Sequence, residues 1–188
     1  DDGDIEPSET VIVTMSGAVG GGASLSGDTI HTLTIDDNDS VAFTWTGNAG
    51  NNLWNDTGNW STGVVPDSDD VAIFNNACSG SNCNVTVNIA LTGAAAVMGM
   101  DMQASYTGTI SQGTSSIELG ANGLVIAGGT FTGGSGTIDV NGPYTQSGGS
   151  FDDSSNAMTI AGDLTVTGGT ATTGSGSIIF DGSSDQTI

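Results

Sequence analysis

The sequence predicts an all-β protein: a parallel β-helix, or β-solenoid, of about 20 residues per coil, preceded by a pair of antiparallel strands. Three observations predict it. Gly-Gly pairs recur at 128-129, 148-149 and 168-169, and single glycines at 142, 162 and 182 keep the same step. On that step apolar residues fall on apolar residues: Leu124 on Tyr144 and Leu164, Phe131 on Phe151 and Ala171, Ile138 on Met158 and Ile178, Val140 on Ile160 and Phe180. Between the glycines stand β-branched runs such as Leu164-Thr-Val-Thr167 and Ser177-Ile-Ile-Phe180, which suit short, half-buried strands separated by turns. A unit of this length cannot enclose its own apolar face, so successive copies must stack and share one core.

Residues 1-40 carry the strand pair. The runs Thr10 to Met15 and Thr29 to Ile35 alternate with period two and are separated by a glycine-rich stretch from Gly17 to Gly27. Alternation puts Ile30, Thr32 and Thr34 on one face and His31, Leu33 and Ile35 on the other. A lone hairpin is marginal in water, so these strands need more sheet.

Residues 41-77 form a Trp-rich capping segment that holds all three tryptophans. In one reading Trp45, Trp54 and Trp60 seal the first coil of the solenoid, since stacked repeats need a cap. In the other they are a carbohydrate-binding platform on which neutral sugar rings stack, Trp being a large apolar surface with one polar handle. Residues 78-188 hold the solenoid repeats and open on Cys78 and Cys83, the two cysteines of the chain. So short a loop of turn residues, with an even cysteine count, is compatible with a local disulfide formed in an oxidising compartment. Two thiols and a remote His31 are too few ligands for a structural zinc. The last residues, Gln186 to Ile188, fall inside a further copy of the repeat. The exposed edge is expected to continue into more chain or to be covered by a partner.

The 188 residues include no lysine and no arginine against 21 aspartates and glutamates, a formal charge of −21. Nucleic acids and anionic membrane surfaces are recognised by cationic side chains, so neither is an expected partner. No stretch reaches the roughly 20 apolar residues that cross a bilayer. Charged residues are only 11% of the chain, which argues for ordered structure with a Thr, Ser, Asn and Gly surface over a solvated acidic tail. The unbalanced charge must be relieved by solvation, by spacing or by bound cations.

Calcium is the cofactor the residues suggest. Asp36, Asp37 and Asp39 follow the second strand closely, and Asp1, Asp2, Asp4 and Glu6 could join them if the two strands pair. Such hard oxygen ligands suit Ca²⁺. Enzymatic activity is not expected. An inverting glycosidase needs two carboxyls about 6.5 to 9.5 Å apart, yet Asp139, Asp152, Asp153, Asp163 and Asp181 do not recur in one repeat column. His31, between strand neighbours, reads as a packing or edge residue. Asn38, Asn55, Asn59 and Asn84 each stand in an Asn-x-Ser/Thr pattern, the acceptor pattern for N-glycans.

Two resemblances add to this. The stretch Asp4-Ile-Glu-Pro-Ser-Glu-Thr-Val-Ile-Val-Thr-Met15, followed by Thr32-Leu-Thr-Ile-Asp-Asp-Asn-Asp39, resembles the C-terminal part of a Calx-β domain. That resemblance covers about residues 1-39, less than half of such a domain, and implies strands of a calcium-binding β-sandwich. Thr44-Trp-Thr-Gly47, Leu53-Trp54, Gly58-Asn-Trp-Ser61, Val65-Pro66, Asp69-Asp-Val-Ala-Ile-Phe74, Tyr106-Thr-Gly-Thr-Ile-Ser-Gln-Gly113 and the Gly-Gly-Thr-Phe repeats are similar to the β-helical stalks of large bacterial surface proteins and autotransporter-type adhesins. This second resemblance covers about 41-188. With the stacking repeats, the open ends, the absent catalytic groups and the incomplete sandwich, the expectation is a structural or adhesive segment of a bacterial extracellular surface protein or filament, with self-association by strand complementation, or neighbouring domains of a longer chain, as its partners. A neutral-carbohydrate-binding module that takes glycans is the alternative, and a polysaccharide-degrading β-helix is a distant third.

Overall fold

A computed structural model of the chain describes residues 9-16, 21, 30-35 and 42-188. It divides into two units, Asp1–Ser40 and Val41–Ile188. In the first, β1 (Glu9–Thr14) and β2 (Ile30–Ile35) pair antiparallel, with Val11 opposite Leu33 and Val13 opposite His31. Alternation sends neighbouring side chains to opposite faces, yet Val11, Ile12, Val13, Ile30 and Leu33 are all exposed. Among the described residues neither face of the pair is covered. His31 is exposed as well, so it holds an open strand position and not a packed one.

The second unit is a parallel β-solenoid. Its strands are β3 (Phe43–Thr44), β4 (Val71–Phe74), β5 (Val85–Thr86), β6 (Val97–Met102), β7 (Thr109–Ser111), β8 (Ile117–Ile126), β9 (Thr130–Thr132) and β10 (Ile138–Val140), followed by β11 (Tyr144–Gln146), β12 (Ser150–Asp152), β13 (Met158–Ile160), β14 (Leu164–Val166), β15 (Thr170–Thr172) and β16 (Ile178–Phe180). One ladder runs β5-β7-β9-β12-β15 and a larger one β3-β4-β6-β8-β10-β13-β16, with β11 and β14 branching from β8. The branch arises because β8 spans a corner. Its first residues, Ile117 to Leu119, pair with β10 and its last, Leu124 to Ile126, pair with β11. Beyond it each coil has three short sides, as in β10-β11-β12 and β13-β14-β15.

The columns read from the sequence are the register of the ladders. Ile138 pairs with Met158 and Met158 with Ile178; Phe131 pairs with Phe151 and Phe151 with Ala171; Leu124 pairs with Tyr144 and Tyr144 with Leu164. The inward Leu124, Phe131, Ile138, Tyr144, Phe151 and Met158 are buried, and the Phe131 and Phe151 rings stack at 5.4 Å. Towards the start of the unit the coil is longer. Along the column Ala72, Met100, Leu124, Tyr144, Leu164 the step shortens until it reaches the repeat of 20. The extra residues form connecting loops that include short 3-10 turns at Thr57–Asn59, Gly80–Cys83 and Gly93–Ala95. β3 and β4 are rungs of the ladder, so the Trp-rich segment contributes strands to the first coils.

Buried glutamines close the corners, where the backbone leaves the ladder and must find other partners. Gln112 Nε2 donates to Ser115 O and Thr137 O at 3.0 and 3.2 Å, while its Oε1 accepts from Gly134 N at 2.8 Å. Gln146 Nε2 donates to Thr170 O at 2.9 Å and its Oε1 accepts from the Tyr144 hydroxyl at 3.0 Å. Gln186 repeats the device, donating to Gly162 O and Ile160 O and accepting from Gly182 N.

Candidate functional site

The tryptophans converge inside the first coils. Trp45 and Trp60 meet as an antiparallel bridge, with their rings edge to face at 5.2 Å. Trp54 stands edge to face on Trp60 at 4.9 Å, and Phe74 lies 6.0 Å from both. Trp45 and Trp54 are 0% exposed and Trp60 3%. Trp60 Nε1 donates to Trp54 O at 2.8 Å and Trp45 Nε1 to Asn82 O at 2.9 Å, while Trp54 Nε1 is buried without a partner. A sugar stacks on an open ring face, and here neighbouring side chains enclose the rings. The carbohydrate platform expected of Trp45, Trp54 and Trp60 is therefore corrected: they form an aromatic plug. Asn59, also fully buried, donates to Asn51 Oδ1 and Leu53 O and accepts from Ala49 N. Its amide is thus closed to glycosylation, whereas Asn55 and Asn84 are exposed and Asn38 lies outside the described residues.

Cys78 and Cys83 are joined in a disulfide, with Cα atoms 5.0 Å apart. The loop it closes is pinned to the plug. Asn82 O accepts from Trp45, as above, and Cys83 O accepts from the Tyr106 hydroxyl at 2.5 Å, while the Tyr106 ring packs 5.5 Å from Phe74. Burial pushes the Tyr106 phenol upward from its ordinary pKa, keeping it a neutral donor.

The expected calcium ligands Asp1, Asp2, Asp4, Glu6, Asp36, Asp37 and Asp39 lie outside the described residues. Among the described residues no three His, Cys, Asp or Glu side chains gather to hold a metal. Asp139 pairs in register with Glu118 and Thr159, and its Oδ1 accepts from Thr159 Oγ1 at 2.7 Å. Asp163 accepts from Thr187 N at 2.7 Å, Asp152 stands on the outer side of β12, and Asp181 is exposed. In the turn before β4, Asp70 accepts from Asp67 N at 2.9 Å. Burial, together with the charges of Asp67 and Asp69, raises its carboxyl above the usual range.

Asp153 is the aspartate that turns inward. It is 8% exposed and accepts from Ser154 N at 2.7 Å. With Tyr144, Phe151, Leu164, Ala171 and Ile178 it lines a cavity of about 110 Å³, formed where the column of phenylalanines gives way to Ala171. Burial raises the Asp153 carboxyl, and burial, then the nearby Asp153 charge, raises the Tyr144 phenol. A folded-state pKa above the unfolded one favours the protonated acid. Its stabilising contribution is full below the ordinary value of about 3.9 and is lost as pH rises through the folded value. Asp153→Asn keeps an acceptor for Ser154 N and removes the buried charge. It is expected to raise the melting temperature at pH 7 and to diminish the gain in stability seen on acidification from pH 7 to 4. An unchanged melt across that range would refute the assignment.

The coil β14-β15-β16 presents its interior side. Val166, Ile178 and Phe180 are 53%, 41% and 39% exposed, although their column partners Gln146, Met158 and Ile160 are buried. No strand among the described residues pairs with the outer edges of β15 and β16. No helix of the described residues is long and apolar enough to cross a membrane. No protein-family model, curated protein or solved structure matches the chain.

Proposed function

We propose that the chain is a structural or adhesive segment of a bacterial extracellular surface protein or filament. The observation that carries this is the exposed interior of the coil β14-β15-β16, which offers both apolar side chains and unpaired strand edges. In this reading it is completed by further β-structure, from a neighbouring subunit or from neighbouring domains of a longer chain, by the logic of strand addition: main-chain bonds supply affinity and the side-chain columns supply register. The exposed Val11, Ile12, Val13, Ile30 and Leu33 of β1 and β2 support the companion reading, in which these strands belong to a partial Calx-β-like sandwich. The disulfide and the surface of hydroxyl groups suit an extracellular location.

Light scattering and electron microscopy test the assembly. The chain is expected to self-associate, and Phe180→Asp with Val166→Asp to reduce that association strongly while the circular dichroism of the solenoid persists. A monodisperse monomer at every concentration would remove self-assembly from the proposal. Calcium belongs to the same proposal, through Asp36, Asp37, Asp39 and the N-terminal acids. A ligand bound only by the folded state stabilises it, so a chelator is expected to lower the melting temperature of the first unit and calcium to restore it. An identical melt with and without chelator would end the calcium reading.

A further inference from the structure

The ladder β5-β7-β9-β12-β15 has an outer side of unusual regularity. Its inward residues are Val85, Ile110, Phe131, Phe151 and Ala171, which follow one another in register. On either side of them stand two outward ranks: Thr109, Thr130, Ser150 and Thr170 in one, and Thr86, Ser111, Thr132, Asp152 and Thr172 in the other. Parallel rungs lie about 4.8 Å apart, and alternate residues of one strand about 6.6 Å apart. The hydroxyl groups therefore form a two-dimensional net.

Two further observations concern what this net is available for. Some hydroxyls elsewhere on the solenoid are used internally: Ser115 donates to Val87 O, Ser154 to Gly136 O, Thr137 to Ser116 and Thr159 to Asp139. Within the net the hydroxyls are linked once, Thr170 Oγ1 to Ser150 Oγ at 3.1 Å, and the rest have no partner among the described residues. In a chain with 21 acidic residues the net contains a single charge, Asp152. A face with one charge among nine residues, on an otherwise anionic protein, suits an uncharged partner, and no aromatic ring stands on it to stack a sugar.

We infer that this face binds ice. A repeating net is matched over its whole extent only by a partner that repeats too, and its rung spacing is close to the shorter in-plane repeat of the prism face of ordinary ice. Six of the nine outward residues are threonines, and threonine suits the task because its β-branched side chain is stiff at χ1 and presents one hydroxyl and one methyl in a fixed orientation. Held on a hydrogen-bonded ladder, the groups are ordered before contact, so little conformational entropy is lost on binding. Each hydroxyl anchors one water in register with the next, and the affinity is the sum over rungs. Because four of the five rungs of the net, β5 to β12, precede the exposed coil, the inference is independent of how that coil is completed.

The test is nanolitre osmometry of the whole chain with microscopy of the growing crystals, using wild type, Thr132→Tyr at the centre of the net and Thr145→Tyr on the adjoining β11 side. Circular dichroism checks that each remains folded. Wild type and Thr145→Tyr are expected to give faceted crystals and a gap between melting and freezing, and Thr132→Tyr to lose most of that gap. Absence of faceting and gap in the wild type, or equal loss in both variants, would overturn the assignment. So would retention of the wild type on crystalline chitin or cellulose with no effect on ice, which would give the face to a polysaccharide lattice.

Discussion

Trp60→Ala is expected to unfold the first coils of the solenoid while the later ones persist. The substitution removes a ring that touches Trp45, Trp54 and Phe74 and deprives the Trp54 carbonyl of its donor at 2.8 Å. Truncating a buried Trp costs about 3–5 kcal/mol, a large part of the roughly 5–15 kcal/mol that holds a domain together. In a stacked array stability is a sum of coils and their interfaces, so the loss stays local. Urea titration followed by tryptophan fluorescence, which reports the plug, should shift well below the transition seen by circular dichroism. Trp60→Phe keeps most of the ring and is expected to lose clearly less. A single coincident transition, shifted by under about 1 kcal/mol, would show that the plug is not what seals these coils.

Gly123→Ala is expected to be as damaging, for a reason of backbone geometry. Gly123 lies inside β8, where the strand turns from one side of the coil to the next, and has φ +65°. A Cβ there would sit 1.9 Å from the carbonyl oxygen of Pro143 in the following coil. That same oxygen accepts from Leu124 N at 2.9 Å. The methyl group would force the two coils apart at a bonded rung. Gly113 is the control, since its φ is +64° and nothing lies within 4 Å of the position its Cβ would take. Gly113→Ala should cost only the left-handed backbone strain of roughly 1–2 kcal/mol, and Gly123→Ala at least twice that or failure to fold. Equal losses in thermal melts would mean that the coils can part at this corner without penalty.

Legibility follows from distance along the chain. The last coils could be read because each contact partner lies one fixed step away, so Phe131 and Phe151 or Ile138 and Met158 align by counting. The strand pair could be read from alternation alone, although nothing local told that apolar residues on both its faces would be exposed. The longer first coils could not be counted. Ala72 and Met100 pair across loops whose length no repeat marks, and the bond from Trp45 to Asn82 joins residues with no pattern between them. Trp45, Trp54 and Trp60 looked alike as plug and as platform because composition does not say which ring faces are occupied. Gln112 and Gln146 had no signal either, since a glutamine becomes a corner brace only when a carbonyl from the next coil reaches it. The signal that could have pointed to Asp153 is its place two residues after the inward Phe151, on the same face by strand alternation.

Composition showed that the chain has no lysine or arginine to offer a phosphate, and the step of 20 residues defined which side chains of the later coils share a column. Orientation waited for the folded coils. Only there do the tryptophans close on one another, Asp153 turn into a cavity, and the threonines of separate rungs come into one net. The physical reason is that a period assigns residues to faces, while burial and hydrogen bonding depend on atoms that stacking brings in from another coil.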